Sequence, residues 1–262
     1  MSDTHPSELP SELPGAPTRR AANVRLPWAL VAILSVAVLG LTGLVSVRER
    51  EVADLQARLA STAATATAAP SNPGADASQV MKSLPRRQSG DTRALGRVDA
   101  PVVLINWSDF RCPFCALWAR STFAELKPYV DSGSLRIEFR DLVLFGEQSR
   151  LAAIASRAAA AQGRFWQFSD ALFAAAPTSG HPTITTTDVV RFAQQAGVKD
   201  LDLFQDALDD PALAQAVDEE SAHAQTLGIS GTPFFVVNTT PISGAQSLEA
   251  FTSVIEGYGG HR

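Results

Sequence analysis

The chain has 262 residues, enough for one well-buried domain plus appendages, and 45% of them are hydrophobic. A net charge of -5, from 22 Lys and Arg against 27 Asp and Glu, argues against a nucleic-acid partner. Two cysteines are too few for a disulfide-stapled scaffold and make only half of a four-thiolate zinc site, while the four histidines (His5, His181, His223 and His261) are scattered without ligand spacing, so no metal centre is expected.

Residues 1–25, rich in Ser, Pro, Glu and Thr, have no apolar period and read as a disordered N-terminal tail. Residues 26–47 then run without a single charge, with Trp28 near one end. About 20 such residues cross a bilayer core, so this stretch is predicted to be a transmembrane helix. A cleaved signal peptide fits less well, because the run exceeds the usual h-region of roughly 7 to 15 residues and no small-x-small site follows it directly. Arg19, Arg20 and Arg25 before the segment are matched by Arg48, Arg50 and Arg58 after it, so loop charge does not orient it.

Val52, Leu55 and Leu59 mark a short amphipathic stalk helix over 48–60, and residues 61–90 read as a flexible linker, Ala-, Ser-, Thr- and Pro-rich through residue 78. Lys82, Arg86, Arg87, Arg93 and Arg97 make a mildly basic neck that reads as a solvated connector. The folded domain is placed at 91–262. Val102 to Trp107 is an apolar strand that leads into Cys112-Pro113-Phe114-Cys115, and the stretch from Ala116 to Lys127 reads as a helix. Phe114, Leu117 and Trp118 fall at the spacing of a buried stripe. Leu135 to Arg140 alternates as a second strand, so a parallel βαβ unit is expected.

Helical segments follow at 149–162, 165–175, 186–196, 201–208 and 211–227, set off by Gly163, Pro177, Gly180, Gly197 and Pro211, which gives an inserted helical region of about 145–228. Strand character returns at Phe234 to Val237, and residues 247–258 close the chain as an amphipathic helix.

Cys112 therefore sits where a strand hands over to a helix. The unpaired N–H groups and positive dipole end of that helix favour a thiolate, and Pro113 suits its first position. A Cys112–Cys115 disulfide closes too small a loop to restrict the unfolded chain much, so redox cycling explains the pair better than stabilisation does.

The segments Asp99 to Leu104, Ser108 to Cys115, Gly231-Thr232-Pro233-Phe234-Phe235-Val236 and Ile242 to Gln246 together resemble the DsbA-like thiol:disulfide oxidoreductases over roughly residues 90–260. The resemblance implies a thioredoxin-like α/β fold with an inserted helical domain. It implies a solvent-facing attacking thiol at Cys112, a buried resolving thiol at Cys115, and a cis Pro233 preceded by Thr232, whose backbone would receive a peptide alongside Pro113 and Phe114. No cofactor is expected beyond the redox-active disulfide.

Cysteine-containing secreted or membrane proteins are the implied substrates, and a membrane thiol oxidase is the implied re-oxidising partner. Because cytosolic thiols are held reduced, residues 48–262 are expected on the extracytoplasmic face of the cell membrane, with the N-terminus cytoplasmic. Asn106 stands where many relatives carry a buried glutamate, and a neutral amide cannot shuttle a proton. Asp109 and Arg111 flank the site, with Arg111 facing either a thiolate or water. Trp107, Phe110, Phe114 and Trp118 are candidates for an apolar platform, half or more of them in the core. A reductase or isomerase of the same fold, and a tethered peptide-binding module, remain alternative functions.

Overall fold

The computed structural model describes residues 73–262. The expected tail at 1–25, transmembrane helix at 26–47, stalk helix at 48–60 and the first part of the linker lie outside the described residues. Among the described residues, no helix is long and apolar enough to cross a membrane.

A five-stranded sheet carries the domain. Its strands are β1 (Ala94–Leu95), β2 (Val102–Ser108), β3 (Leu135–Asp141), β4 (Phe234–Val237) and β5 (Thr240–Ser243), in the spatial order β1-β3-β2-β4-β5. β2 and β3 pair in parallel, from Val102 opposite Leu135 to Ser108 opposite Asp141. The other three pairings are antiparallel. Every residue of β2 is buried, as expected of a β-branched, apolar run covered on both faces.

The connection from β2 to β3 is two helices, α2 (Pro113–Ser121) and α3 (Phe123–Asp131), where the sequence reads as one. The break falls at Thr122, whose carbonyl accepts from the Glu125 N–H at 3.1 Å, a tight i+3 bond. Between β3 and β4 lie α4 (Glu147–Ala161), α5 (Phe165–Ala175), α6 (Thr186–Gln195), α7 (Leu201–Leu208) and α8 (Pro211–Thr226). Their starts are chemically marked: Thr185 and Asp188 form a capping box, and Asp200 and Asp210 accept from backbone N–H groups of α7 and α8. Ala152, Ala155, Ala158 and Ala159 of α4 are buried among the neighbouring helices, where small side chains permit close approach. The helix α9 (Leu248–Gly257) buries Phe251 and Ile255 against the sheet.

Two expectations are corrected. Part of the predicted linker is structured: α1 (Pro73–Ser83) is helical, and Met81 and Leu84 pack on the sheet face formed by Val103, Ile105 and Trp107. The basic neck is solvated only in part: Lys82, Arg87 and Arg97 are exposed, whereas Arg86 and Arg93 are drawn into the fold. Arg86 pairs with Asp91 and Glu220, and Arg93 pairs with Asp141 and Glu220, all at 2.8–3.1 Å. These arginines answer buried acids. Glu138 and Asp141 on β3 are 0% and 1% exposed, and unpaired carboxylates in such positions are costly.

Candidate functional site

Cys112 occupies the N-cap of α2 with extended backbone angles, φ -75° and ψ 119°, and Pro113 follows in the first turn. No side-chain group caps this helix, so its first N–H groups are left to the sulfur. Across from it the Thr232–Pro233 peptide is cis, and the Cys112 sulfur lies 3.3 Å from the Thr232 carbonyl oxygen, to which it donates while it carries its proton. Strand pairing of β4 with β2 brings the two together, since Phe234 lies opposite Trp107. Cys112, Cys115, Pro113, Phe114, Thr232 and Pro233, six positions spread over two parts of the chain, thus converge at one end of the sheet.

Both cysteines are free thiols, and both pack into the core shared with the insertion, beside Phe110, Ala116 and Phe139. The implied solvent-facing position of Cys112 is corrected: the residue is 2% exposed. It lies at the floor of a cleft of about 880 Å³ whose walls are α2, the loop after β3, the insertion loop around His181 and the Gly231-Thr232 segment. A partner sulfur must enter this cleft to reach it.

The two thiols differ in acidity. A hydrogen bond from Cys115 is the largest influence on Cys112; burial opposes it, but the Thr232 hydroxyl and the N–H groups of Cys115 and Phe114 add to it, bringing the thiol down to about 6. Burial, and then the hydrogen bond and charge of Cys112, push Cys115 well above the ordinary thiol value, against a smaller pull from Ser108. At neutral pH the outer sulfur is a thiolate and the inner one a thiol.

Alkylation of the reduced protein followed against pH is therefore expected to rise with a midpoint near 6, rather than near the ~8.5 of free cysteine. Thr232→Val is expected to move that midpoint upward, since it removes a hydroxyl that favours the thiolate. A wild-type midpoint above about 8 would contradict the geometry.

The flanking charges do structural work. Asp109, 2% exposed, accepts from the backbone N–H groups of Arg111 at 2.7 Å and Leu144 at 2.8 Å. The Arg111 guanidinium of this half-buried residue bonds to backbone: it donates to the carbonyls of Pro182, at 2.8 Å, and Phe145. His181 completes this clasp, with Nδ1 2.9 Å from the Arg111 carbonyl and its ring 3.9 Å from that of Phe145. A carbonyl only accepts, so Nδ1 carries the proton. His181 and Phe145 are cleft residues that sequence reading missed; neither lies in a motif, and only the fold brings them to Arg111.

Trp107, Phe110 and Trp118 are core, and Phe114 alone of the four proposed platform aromatics is exposed, at 60%. The predicted buried stripe of Phe114, Leu117 and Trp118 is likewise corrected: Leu117 is 48% exposed, and α2 buries Cys115, Ala116 and Trp118 instead. Asn106 is 4% exposed and its Oδ1 has no partner among the described residues. Even-numbered β2 residues Val102 and Leu104 share a cluster with Trp118 of α2, which places Asn106 on the face that the helix covers.

Two adjacent sulfurs, one held as thiolate and the other as thiol, beside the peptide that precedes a cis-proline, are equipped to pass a disulfide from one protein to another. The fold and site define a thiol:disulfide oxidoreductase. A thioredoxin family model matches residues 88–257. Disulfide bond formation protein D of Bacillus subtilis (strain 168) is 27% identical over 165 residues, covering 62% of this chain and 74% of that protein. The oxidised crystal structure of BdbD from Bacillus subtilis has a TM-score of 0.60 at 27% identity, covering 64% of this chain and 92% of that one. A Na(+)/H(+) antiporter, NhaA 3 of Salinispora tropica, is 33% identical over 162 residues, but the match covers only 24% of that protein. The chain belongs to the thioredoxin family and is similar, in sequence and structure, to the DsbA-type thiol:disulfide oxidoreductases.

Proposed function

We infer that the chain is a membrane-anchored, extracytoplasmic oxidant of protein thiols, working through Cys112 and Cys115. The observation that carries this reading is the opposed acidity of the two sulfurs. A client thiolate attacks Cys112 of the disulfide; the Cys112–Cys115 bond breaks, Cys115 leaves with the electron pair and takes up a proton, and a mixed disulfide forms at Cys112. A second client thiolate then attacks the client sulfur and expels Cys112 as thiolate. The client pair has lost two electrons and the enzyme pair has gained them. An acidic Cys112 is the better leaving group and stabilises the reduced enzyme, which is what makes a dithiol an oxidant.

Thr232, Pro233, Pro113 and Phe114 receive the client segment, and the active disulfide is the only redox group required. Clients are cysteine-containing secreted or membrane proteins; the name of the Bacillus relative, a disulfide bond formation protein, supports cysteine pairs as the substrate. A membrane thiol oxidase restores the disulfide. The charge-free stretch at 26–47 supports a single-pass anchor with residues 48–262 outside the cytoplasm, where a disulfide persists.

Equilibration of the full chain with glutathione tests the direction of work. The expected reduction potential is less negative than about -200 mV, and a value near thioredoxin's, about -270 mV, would make the protein a reductase instead.

A further inference from the structure

The wall that α2 gives to the cleft is apolar near the thiolate and basic further off. Phe114 and Leu117, both exposed, are followed at the next turn by Arg120, also exposed, and all three line the cleft with Cys112. Arg120 is held in place: Nη1 donates to the carbonyls of Phe173 and Ala176, each at 2.9 Å, at the end of α5. That uses both protons of one nitrogen. The opposite edge, Nε and Nη2, has no protein partner among the described residues, and a guanidinium edge of this kind takes a carboxylate with two parallel hydrogen bonds.

Among the residues lining the cleft there is no carboxylate, and His181 is the only other basic side chain. Asp170 lines an adjoining hollow that Arg120 and Lys127 also line, and the Lys127 charge acts on it. Eight residues of helix separate Cys112 from Arg120, about 12 Å at 1.5 Å per residue. An extended chain covers that distance in three to four residues at about 3.3 Å each.

We propose that Arg120 is a specificity determinant for the client: the cleft selects cysteines that have a carboxylate three to four residues away in the extended chain, with apolar residues between to cover Phe114 and Leu117. This rests on the oxidant reading above, and it names the substrate class that such an oxidant prefers. The charge complementarity is one-sided, since a basic residue at the same place meets Arg120 with no acid in the cleft to relieve it.

The test uses the oxidised full-length protein and single-cysteine peptides of otherwise identical, apolar sequence. One pair carries Glu or Lys four residues before the cysteine, a second pair carries them four residues after it, and a third carries them next to it. Rates of mixed-disulfide formation are divided by each peptide's rate with an aromatic disulfide reagent, which removes differences in intrinsic thiol reactivity. In one chain direction the distant-Glu peptide is expected to outpace its Lys counterpart by about five- to tenfold, and the adjacent pair to differ little.

Arg120→Glu should invert the preference. Arg120→Gln, which keeps an amide donor for α5, should bring it close to one, and so should high salt. Because the readout is a ratio, a general loss of activity in either variant does not obscure it. Equal Glu and Lys rates in the wild type, or a preference that survives Arg120→Glu, would overturn the assignment while leaving oxidation intact. A protein that reacts with none of the peptides would overturn the oxidant reading and this one with it.

Discussion

A Cys112→Ser chain is expected to lose thiol–disulfide turnover to background, a fall on the order of a thousandfold or more, because a hydroxyl neither ionises near neutral pH nor forms an exchangeable bond to sulfur. Oxidation of reduced ribonuclease reads it, and turnover that survives would leave the groove as a peptide-binding module. Cys115→Ala is expected to fail differently. It keeps the attacking sulfur at the mouth of α2, whose thiolate opens a client disulfide, bonding one client sulfur and releasing the other as thiolate; with no Cys115 to displace the held client, mixed disulfides at Cys112 accumulate. It also removes the largest influence on the acidity of Cys112, so its alkylation midpoint should rise. Isolated from the membrane fraction, this variant is expected to carry secreted or membrane proteins bound through their cysteines. Cytosolic clients, or a protein absent from membranes, would contradict the proposed placement.

What the sequence made legible follows from local chemistry. The bounds of α6, α7 and α8 could be read from Gly180, Gly197 and Pro211, and in the structure Thr185, Asp200 and Asp210 cap their starts through bonds that span two or three residues. The parallel pairing of β2 and β3 followed from two strands with a helical connection. Periodicity, by contrast, finds a stripe without saying what it faces: Phe114 and Leu117 have helical spacing with Trp118, yet they wall an open cleft. The alternation in β3 was similarly silent about its second face. Arg136, Glu138 and Arg140 look like the wet side of a strand, and they are buried because residues before Ala94 fold back over them. Arg86 is 52 residues from Glu138 and 134 from Glu220 in the chain, and no local rule reaches that far. The same holds for His181 against Arg111.

Glu138→Ala is expected to destabilise the domain by about 3–5 kcal/mol, the cost of breaking a buried, hydrogen-bonded ion pair from one side. The Glu138 carboxylate accepts from Arg136 at 2.8 Å and Arg140 at 3.2 Å, and from the backbone N–H groups of Arg86 at 2.8 Å and Arg87 at 2.9 Å. Removing it strands two guanidinium groups and two N–H groups in the interior, and frees the segment that carries α1 from the sheet. Against a typical total of about 5–15 kcal/mol this is a large fraction, and urea unfolding at pH 7 measures it. A loss below about 1 kcal/mol would mean that the arginines find water when the acid is gone.

The acid response has a sign fixed by the neighbouring carboxylates. Burial alone would raise Glu220, but the Arg93 charge and hydrogen bond, the Arg157 charge and the Asp141 N–H overcome it and bring it down to about 2. Its contribution is complete above its unfolded value of 4.5 and is lost as pH falls toward 2. Asp141 acts oppositely: burial, and then the charge of Glu220, raise it to about 6, so its folded-state cost is relieved between pH 6 and 3.8. The two oppose each other between about pH 4.5 and 3.8, and below that only the loss remains. Acid unfolding is thus expected below about pH 3.8, and Glu220→Gln should flatten the pH dependence between 3.8 and 2. Unchanged steepness in that window would remove Glu220 from the account of what holds the N-terminal segment, β3 and α8 together.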